Sequence, residues 1–376
     1  MKTLLDNVAV ASQADDTIIV RFFNSIRICA IAVFTSILVG CSQYAEVTAV
    51  YETAQVKTMD DAADDPAVWV NTADPSRSLI FGTDKKDGVY VYTLKAKKIG
   101  FTQLGNINNI DVRTIADKAY IVASNRTNQT VDLWVIDSAD LNGGARAEMF
   151  SLSSKPTFSI QSAINIYGAC AGLDPEFGLI AFITEDEGPN VEVWRYNNER
   201  LDLLTTFNNG GESEGCVFDD ENRVLFISEE ETNGVLKAYQ VDGRMDFSGF
   251  TAVDSREGYI AGDPEGVGIY KTTATSGYVV LSSQGDSTFN IYDRLAPHRY
   301  RGSFVIAAGT AADGKPIDGV STTDGIEVIN LPLNEDFPEG LLIVQDDIDS
   351  IDSQSGLKRQ NFKLVSFAEI LKALDL

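Results

Sequence analysis

Asp263-Pro-Glu-Gly-Val-Gly-Ile269, followed by Tyr278-Val-Val-Leu281, the polar tip Ser282-Ser-Gln-Gly-Asp-Ser287 and Phe289-Asn-Ile-Tyr292, contains the full repeat unit of the chain. Runs of β-branched and aromatic residues, broken by Gly, Ser and Asp, read as a hairpin preceded by a shorter strand with a polar head. The same hairpin stands at 79–82 with 89–92, 119–123 with 131–135, 179–183 with 191–194, 224–227 with 235–239, and 341–344 with 362–365. The six copies begin 40 to 63 residues apart, the period of propeller blades rather than of short solenoid repeats.

Each hairpin is preceded by a run whose head is Asp64, Asn109, Tyr167, Glu214, Asp263 or Asp324. These six runs predict the innermost strands. Outer strands are expected at 101–104, 148–152, 201–207, 250–253 and 304–307. Residues 46–51 are expected to complete the sixth blade and so cover an open edge. The tail 366–376 predicts an amphipathic helix with Phe367, Ile370, Leu371 and Leu374 on one face. The expectation is an all-β chain forming one six-bladed β-propeller over residues 45–376.

The N-terminal segment is set apart from this fold. Arg21 and Arg27 precede an apolar run over 28–40 that ends in Leu38-Val39-Gly40-Cys41. That run is too short to span a bilayer as a helix and suits a signal peptide. Its end resembles the bacterial lipobox, which implies lipidation at Cys41. Residues 1–41 are therefore expected to be a signal peptide, and the protein to be an exported outer-membrane lipoprotein, or periplasmic or extracellular, touching membrane only through its anchor. Asp6, Asp15 and Asp16 do not suit an n-region. In an oxidising compartment Cys170 and Cys216 either bridge or remain two separately buried thiols.

The chain carries 30 Lys plus Arg against 55 Asp plus Glu, a formal net charge of −25, and one histidine. Such a field repels nucleic acid. One histidine excludes a multi-His metal site, and His298, between Pro297 and Arg299, reads as a surface residue. Neither Cys170 nor Cys216 is followed by the Arg a cysteine phosphatase needs. Carboxylate oxygen, the ligand preferred by Ca²⁺, is abundant.

A propeller brings equivalent positions of its repeats around one channel. If strand heads and hairpin tips share a face, that face gathers Asp64, Asp65, Asn109, Asp111, Glu214, Glu230, Asp263, Glu265, Gln284, Asp318, Asp324 and Asp346. So many carboxylates cannot all ionise together without counter-charge, and several bound Ca²⁺ ions would supply it. Lys85, Lys86 and Arg126 on the first two tips, with Tyr167 heading the third blade, would then cradle phosphate.

With those residues in place the chain resembles the β-propeller phytases. The likeness rests on Asp64-Asp-Pro-Ala-Val-Trp69, Thr83-Asp-Lys-Lys86, Asn108-Asn-Ile-Asp-Val-Arg113, Ala123-Ser-Asn-Arg126, Glu214-Gly215, Asp263-Pro-Glu-Gly266, Ser282-Ser-Gln-Gly285, Ile291-Tyr-Asp-Arg294 and Thr323-Asp-Gly325. It implies a calcium-dependent 3-phytase-like enzyme acting on myo-inositol hexakisphosphate, supplied as its calcium complex, with one phosphate site for cleavage and a neighbour for affinity. By resemblance, Asp64, Glu214, Asp263, Glu265, Gln284 and Asp324 match calcium ligands of the cleavage site, and Lys85, Arg126 and Tyr167 hold phosphate. Asp65, Asp318 and Asp346 match further calcium ligands, some structural. Lys85, Arg126, Tyr167, Glu214 and Glu265 are the expected catalytic set, and the protein is expected to be a monomer. One departure stands out: where the family often has a Lys on the third hairpin, this chain has Glu185-Asp186-Glu187. Two alternatives remain open: another metal-dependent propeller hydrolase of the lactonase kind, and a non-catalytic, calcium-stabilised binding lipoprotein.

Overall fold

Every one of the six apolar pairs forms an antiparallel hairpin, and each hairpin pairs with the polar-headed run before it. The computed structural model describes residues 44–197, 199–230, 234–350 and 359–376. The apolar run 28–40 and Cys41 lie outside these residues. No described helix is long and apolar enough to cross a membrane.

Blade 1 runs outward through Ala63–Trp69, Leu79–Asp84, Gly88–Thr93 and Lys98–Gln103; blade 2 through Ile107–Ile115, Lys118–Asn125, Thr130–Asp137 and Phe158–Gln161. Blade 3 uses Ile166–Asp174, Gly178–Glu185, Asn190–Asn197 and Arg200–Asn208. Blade 4 uses Ser213–Asp219, Val224–Glu229, Val235–Gln240 and Thr251–Ser255. Blade 5 uses Pro264–Lys271, Gly277–Ser283, Thr288–Asp293 and Tyr300–Ala307, and blade 6 Ile326–Ile329, Leu341–Asp346 and Asn361–Ser366. These are the expected inner strands and hairpins.

Both faces of the middle strands are apolar because each blade is sandwiched between two others. Trp69 and Phe81 of blade 1 share a core with Ile121 and Trp134 of blade 2, and Phe182 of blade 3 meets Phe218 of blade 4. Strands buried on both faces lose the alternation of one-sided sheets and read as continuous apolar runs.

Three expectations need correction. Residues 148–152 do not form the outer strand of blade 2. They follow a helix α1, Ser138–Ala147, that buries Leu141 and Ala145, and they lie along blade 1 instead. There the Phe101 N–H donates to Ser151 Oγ at 3.2 Å and Thr102 Oγ1 to the Leu152 carbonyl at 2.6 Å. The outer strand is Phe158–Gln161, paired with Thr130–Leu133.

Residues 45–52 are shared between two blades. Ala45–Thr48 pairs in parallel with Tyr300–Ala307 as a fifth strand of blade 5, and only Tyr51–Glu52 pairs with blade 6. The first described strands and the C-terminal one are thus fastened side by side, and α2, Phe367–Leu374, buries Phe367 and Ile370 against the same core. Finally, His298 is not a surface residue. Its ring lies edge-on to Phe226, centroids 5.2 Å apart, and its Nδ1 sits 3.1 Å from the Asp293 carbonyl.

Candidate active site

The site grows from one backbone device used five times. The inner strands of blades 1 to 5 each carry a two-residue bulge opposite the second strand, at Asp64-Asp65, Asn108-Asn109, Tyr167-Gly168, Glu214-Gly215 and Glu265-Gly266. A bulge re-aims the side chain it carries. Here it sends the first residue of each pair toward the mouth of the ring. Blade 6 places Asp324 and Gly325 at the equivalent point, just before Ile326–Ile329.

Hydroxyls of the second strands hold the bulges open. Asp65 N–H donates to Thr83 Oγ1 at 2.9 Å, Asn109 N–H to Ser124 Oγ at 3.0 Å and Gly168 N–H to Thr184 Oγ1 at 2.8 Å. Ser228 Oγ donates to the Gly215 carbonyl at 2.9 Å. The second bulge residue is glycine where neighbouring backbones nearly touch. A Cβ on Gly168 would stand 2.1 Å from the Glu214 carbonyl oxygen, and one on Gly215 2.1 Å from that of Glu265.

The side chains that converge are Asp64, Asn108, Tyr167, Glu214, Glu265 and Asp324, joined by Lys85 and Gln284 from the tips. Lys85 Nζ lies 3.5 Å from Asp64 Oδ2, 3.4 Å from Asp324 Oδ2 and 2.7 Å from Asp61 Oδ1. Gln284 Nε2 donates to Asp324 Oδ1 at 2.8 Å, and Asn108 Nδ2 to Glu214 Oε1 at 2.5 Å. A cavity of 330 Å³ opens among Lys85, Tyr167, Glu214, Glu265, Gln284 and Asp324. Arg126 stands beside it, its guanidinium 5.1 Å from the Tyr167 ring centroid and its Nη1 donating to Asn108 Oδ1 at 3.0 Å.

Electrostatically this cluster is short of positive charge. Burial and the Glu214 carboxylate hold Asp64 well above the usual carboxylate range, and burial with Glu230 and Glu214 does the same to Glu265. Glu230 is pushed up to about 9 by burial and by Glu214. Asp324 rises to about 6, burial outweighing the pull of Lys85. Burial and the Glu214 charge raise the Tyr167 phenol, which stays protonated.

The donor set fits a hard cation. Among the described residues, both Asp64 carboxylate oxygens, Glu230 Oε1 and Glu265 Oε2 are buried and accept no hydrogen bond. Glu214, Glu230 and Glu265 each present an oxygen within 4.8 Å of the others. Buried anionic oxygens without donors are costly to desolvate, and coordination to Ca²⁺ satisfies them.

Other candidates lie elsewhere. Asp65 Oδ2 accepts the Ile110 N–H at 2.9 Å and Asp111 Oδ2 the Ala171 N–H at 2.7 Å, so these two fasten each inner strand to the next. Asn109 is turned from the cavity, and its neighbour Asn108 takes the position expected for it. Asp263 stays at the rim, paired with Arg256. Lys86 is exposed, its Nζ donating to the Met59 carbonyl at 2.8 Å.

Asp318 and Asp346 are brought together away from the cavity, around the buried Lys363 ammonium, which lies 2.8 Å from Asp346 Oδ2 and 3.7 Å from Glu52 Oε2. Glu52, Asp318 and Asp349 form a second oxygen-rich group there. One lysine does not neutralise it fully, and Glu52 is pushed up to about 7, chiefly by burial.

Asn108 and Asp61 join the site without having stood among the residues expected there. The signal for Asn108 was its place directly ahead of Asn109, equivalent to Glu214 ahead of Gly215. Asp61 lies outside the repeat and had none. Cys170 and Cys216 form a disulfide between the inner strands of blades 3 and 4, which settles the open alternative.

A family model described as Phytase matches residues 17–376. The 3-phytase of Bacillus subtilis (strain 168) is 33% identical over 344 residues, covering 88% of this chain and 85% of that protein.

Proposed function

Because the chain belongs to the phytase family, we propose that it cleaves phosphate from myo-inositol hexakisphosphate, presented as a calcium complex, at the cavity bounded by Lys85, Tyr167, Glu214 and Glu265. It is a phosphoric monoester hydrolase of the phytase type, and that membership favours this reading over a lactonase or a binding scaffold. The observation that carries the location is the set of buried carboxylate oxygens on Asp64, Glu230 and Glu265 that accept no hydrogen bond.

Asp64, Glu214, Glu230, Glu265, Gln284 and Asp324 would hold Ca²⁺. When bound, such ions neutralise charge on phosphoryl oxygens and lower the pKa of a coordinated water. The chain supplies the rest. Asn108 orients Glu214 through its amide, and Gln284 orients Asp324. Lys85 places a point charge at the cavity wall, where the Asp64, Asp324, Glu214 and Asp61 carboxylates keep it protonated. Arg126 offers its planar donors to a phosphate, and the protonated Tyr167 stands as a further hydrogen-bond donor. Cys170 and Cys216 are joined and His298 is buried elsewhere, so none of them provides a nucleophile. Direct attack by water, without a covalent enzyme intermediate, accounts for this residue set.

Export is part of the proposal. The Cys170 to Cys216 disulfide suits an oxidising compartment, and the apolar run before Cys41 would deliver the chain there as a lipid-anchored protein. A phosphate-release assay with calcium phytate tests the activity. Release should stop with chelator and return with Ca²⁺, and absence of release at neutral pH with excess Ca²⁺ would overturn the proposal.

A further inference from the structure

Arg126 does not face the mouth of the cavity unopposed. Its Nη2 lies 2.9 Å from Asp186 Oδ2, across the gap between the tips of blades 2 and 3. Asp186 is itself held in place. Asn165 Nδ2 donates to the same Oδ2 at 2.8 Å, and the Asp186 N–H donates to the Asn165 carbonyl at 2.8 Å. The neighbouring Glu185 is turned back onto Asn190, so among the three acids of this tip Asp186 is the one aimed at the guanidinium. Both partners are partly open to solvent, the Arg126 side chain 31% and the Asp186 side chain 22% exposed.

We propose that Asp186 is a specificity-determining residue that competes with substrate phosphate for Arg126. The inference rests on the reading that Arg126 receives phosphate. With one N–H of Nη1 on Asn108 and one contact of Nη2 on Asp186, a phosphate must bind the remaining N–H donors of the guanidinium beside the Asp186 carboxylate or displace it. The fixed carboxylate also repels any phosphate dianion that approaches. Asp186 therefore weakens binding of a substrate with many uncompensated phosphates more than that of a monophosphate. Calcium already bound to the substrate relieves the repulsion, so the gate favours the calcium complex over the bare anion.

Asp186→Asn and Asp186→Lys test this, with Arg126→Ala in parallel and thermal melts to verify folding. Phosphate release is followed for phytate and for an inositol monophosphate at fixed Ca²⁺. Binding of myo-inositol hexasulfate, which is not cleaved, is measured by calorimetry. Asp186→Asn should lower the phytate KM and the hexasulfate Kd by about 2- to 5-fold, in the range of one partly exposed charge interaction. The change should appear in KM rather than kcat, be larger for Asp186→Lys, be small for the monophosphate and shrink with added salt.

If Asp186→Asn leaves KM and Kd unchanged or raises them while Arg126→Ala weakens both, Asp186 merely orients a phosphate-binding arginine and the inference is overturned alone. If Arg126→Ala leaves both unchanged, the role of Arg126 fails and the inference falls with it.

Discussion

Glu214 shows how much one side chain can carry in a ring of six blades. It accepts the Asn108 amide, stands against Tyr167, and raises the pKa values of Asp64, Glu230 and Glu265. Glu214→Gln keeps the shape and removes the charge. Phosphate release by this variant should fall roughly 100-fold in kcat, the size expected when a group serving transition-state charge is lost. Lys85 acts differently, because its ammonium is shared among Asp61, Asp64 and Asp324. Lys85→Ala should raise the phytate KM by roughly 10-fold or more, as for loss of a charge-assisted hydrogen bond. Calcium titration should show tighter metal binding in the same variant, since a competing cation has gone. An unchanged calcium affinity would count against Lys85 sharing ligands with the metal.

At the scale of elements, the inner strands of blades 3 and 4 are fastened to each other. The disulfide joins Ile166–Asp174 to Ser213–Asp219, three residues from Tyr167 on one strand and two from Glu214 on the other. Its sequence separation of 46 residues places the loss on removal at about 2–4 kcal/mol. The double variant Cys170→Ser, Cys216→Ser should melt earlier by an amount matching that loss, and the wild type should move the same way in reductant. The bulges set a stricter limit. Gly168→Ala would drive a methyl into the Glu214 carbonyl, so it should lower activity sharply while the hairpin behind it, anchored by Phe182 and Val193, persists. Circular dichroism beside the phosphate-release assay would separate the two effects.

For the molecule as a whole, the surplus of carboxylate makes stability depend on pH, and the proposed calcium sites would couple that dependence to the cation. Without the cation, Glu230 titrates at about 9 and Asp324 at about 6 in the folded state, above the ordinary values of Glu and Asp. The native state therefore binds more protons than the unfolded state between pH 4 and 9, and stability falls as pH rises through that window. In chelator the melting temperature should drop from pH 5 to pH 9. Under the proposed function calcium would bind the deprotonated carboxylates of the folded state alone, so it should reverse the trend and stabilise most at the alkaline end. Equal slopes with and without Ca²⁺ in a pH series of melts would exclude these carboxylates as its ligands.

The order of amino acids alone specifies the repeat. Six apolar pairs with polar tips require hairpins, and their spacing leaves room for one inner and one outer strand each. It also determined the chemistry available, because a chain with one histidine and 55 acidic residues has carboxylate as its main ligand. The outer strand of blade 2 was not legible locally: residues 148–152 have strand composition, yet Ser151 and Leu152 bond to blade 1. The N-terminal strand was equally opaque, since pairing at Phe304 rather than Leu364 depends on which edge is free. Which member of each bulge pair faces the cavity, Asp64 rather than Asp65 and Asn108 rather than Asn109, emerged only with the folded backbone. The reason is geometric. Adjacent residues on a strand point to opposite sides, and a bulge resets that alternation by one residue in a way that composition does not record.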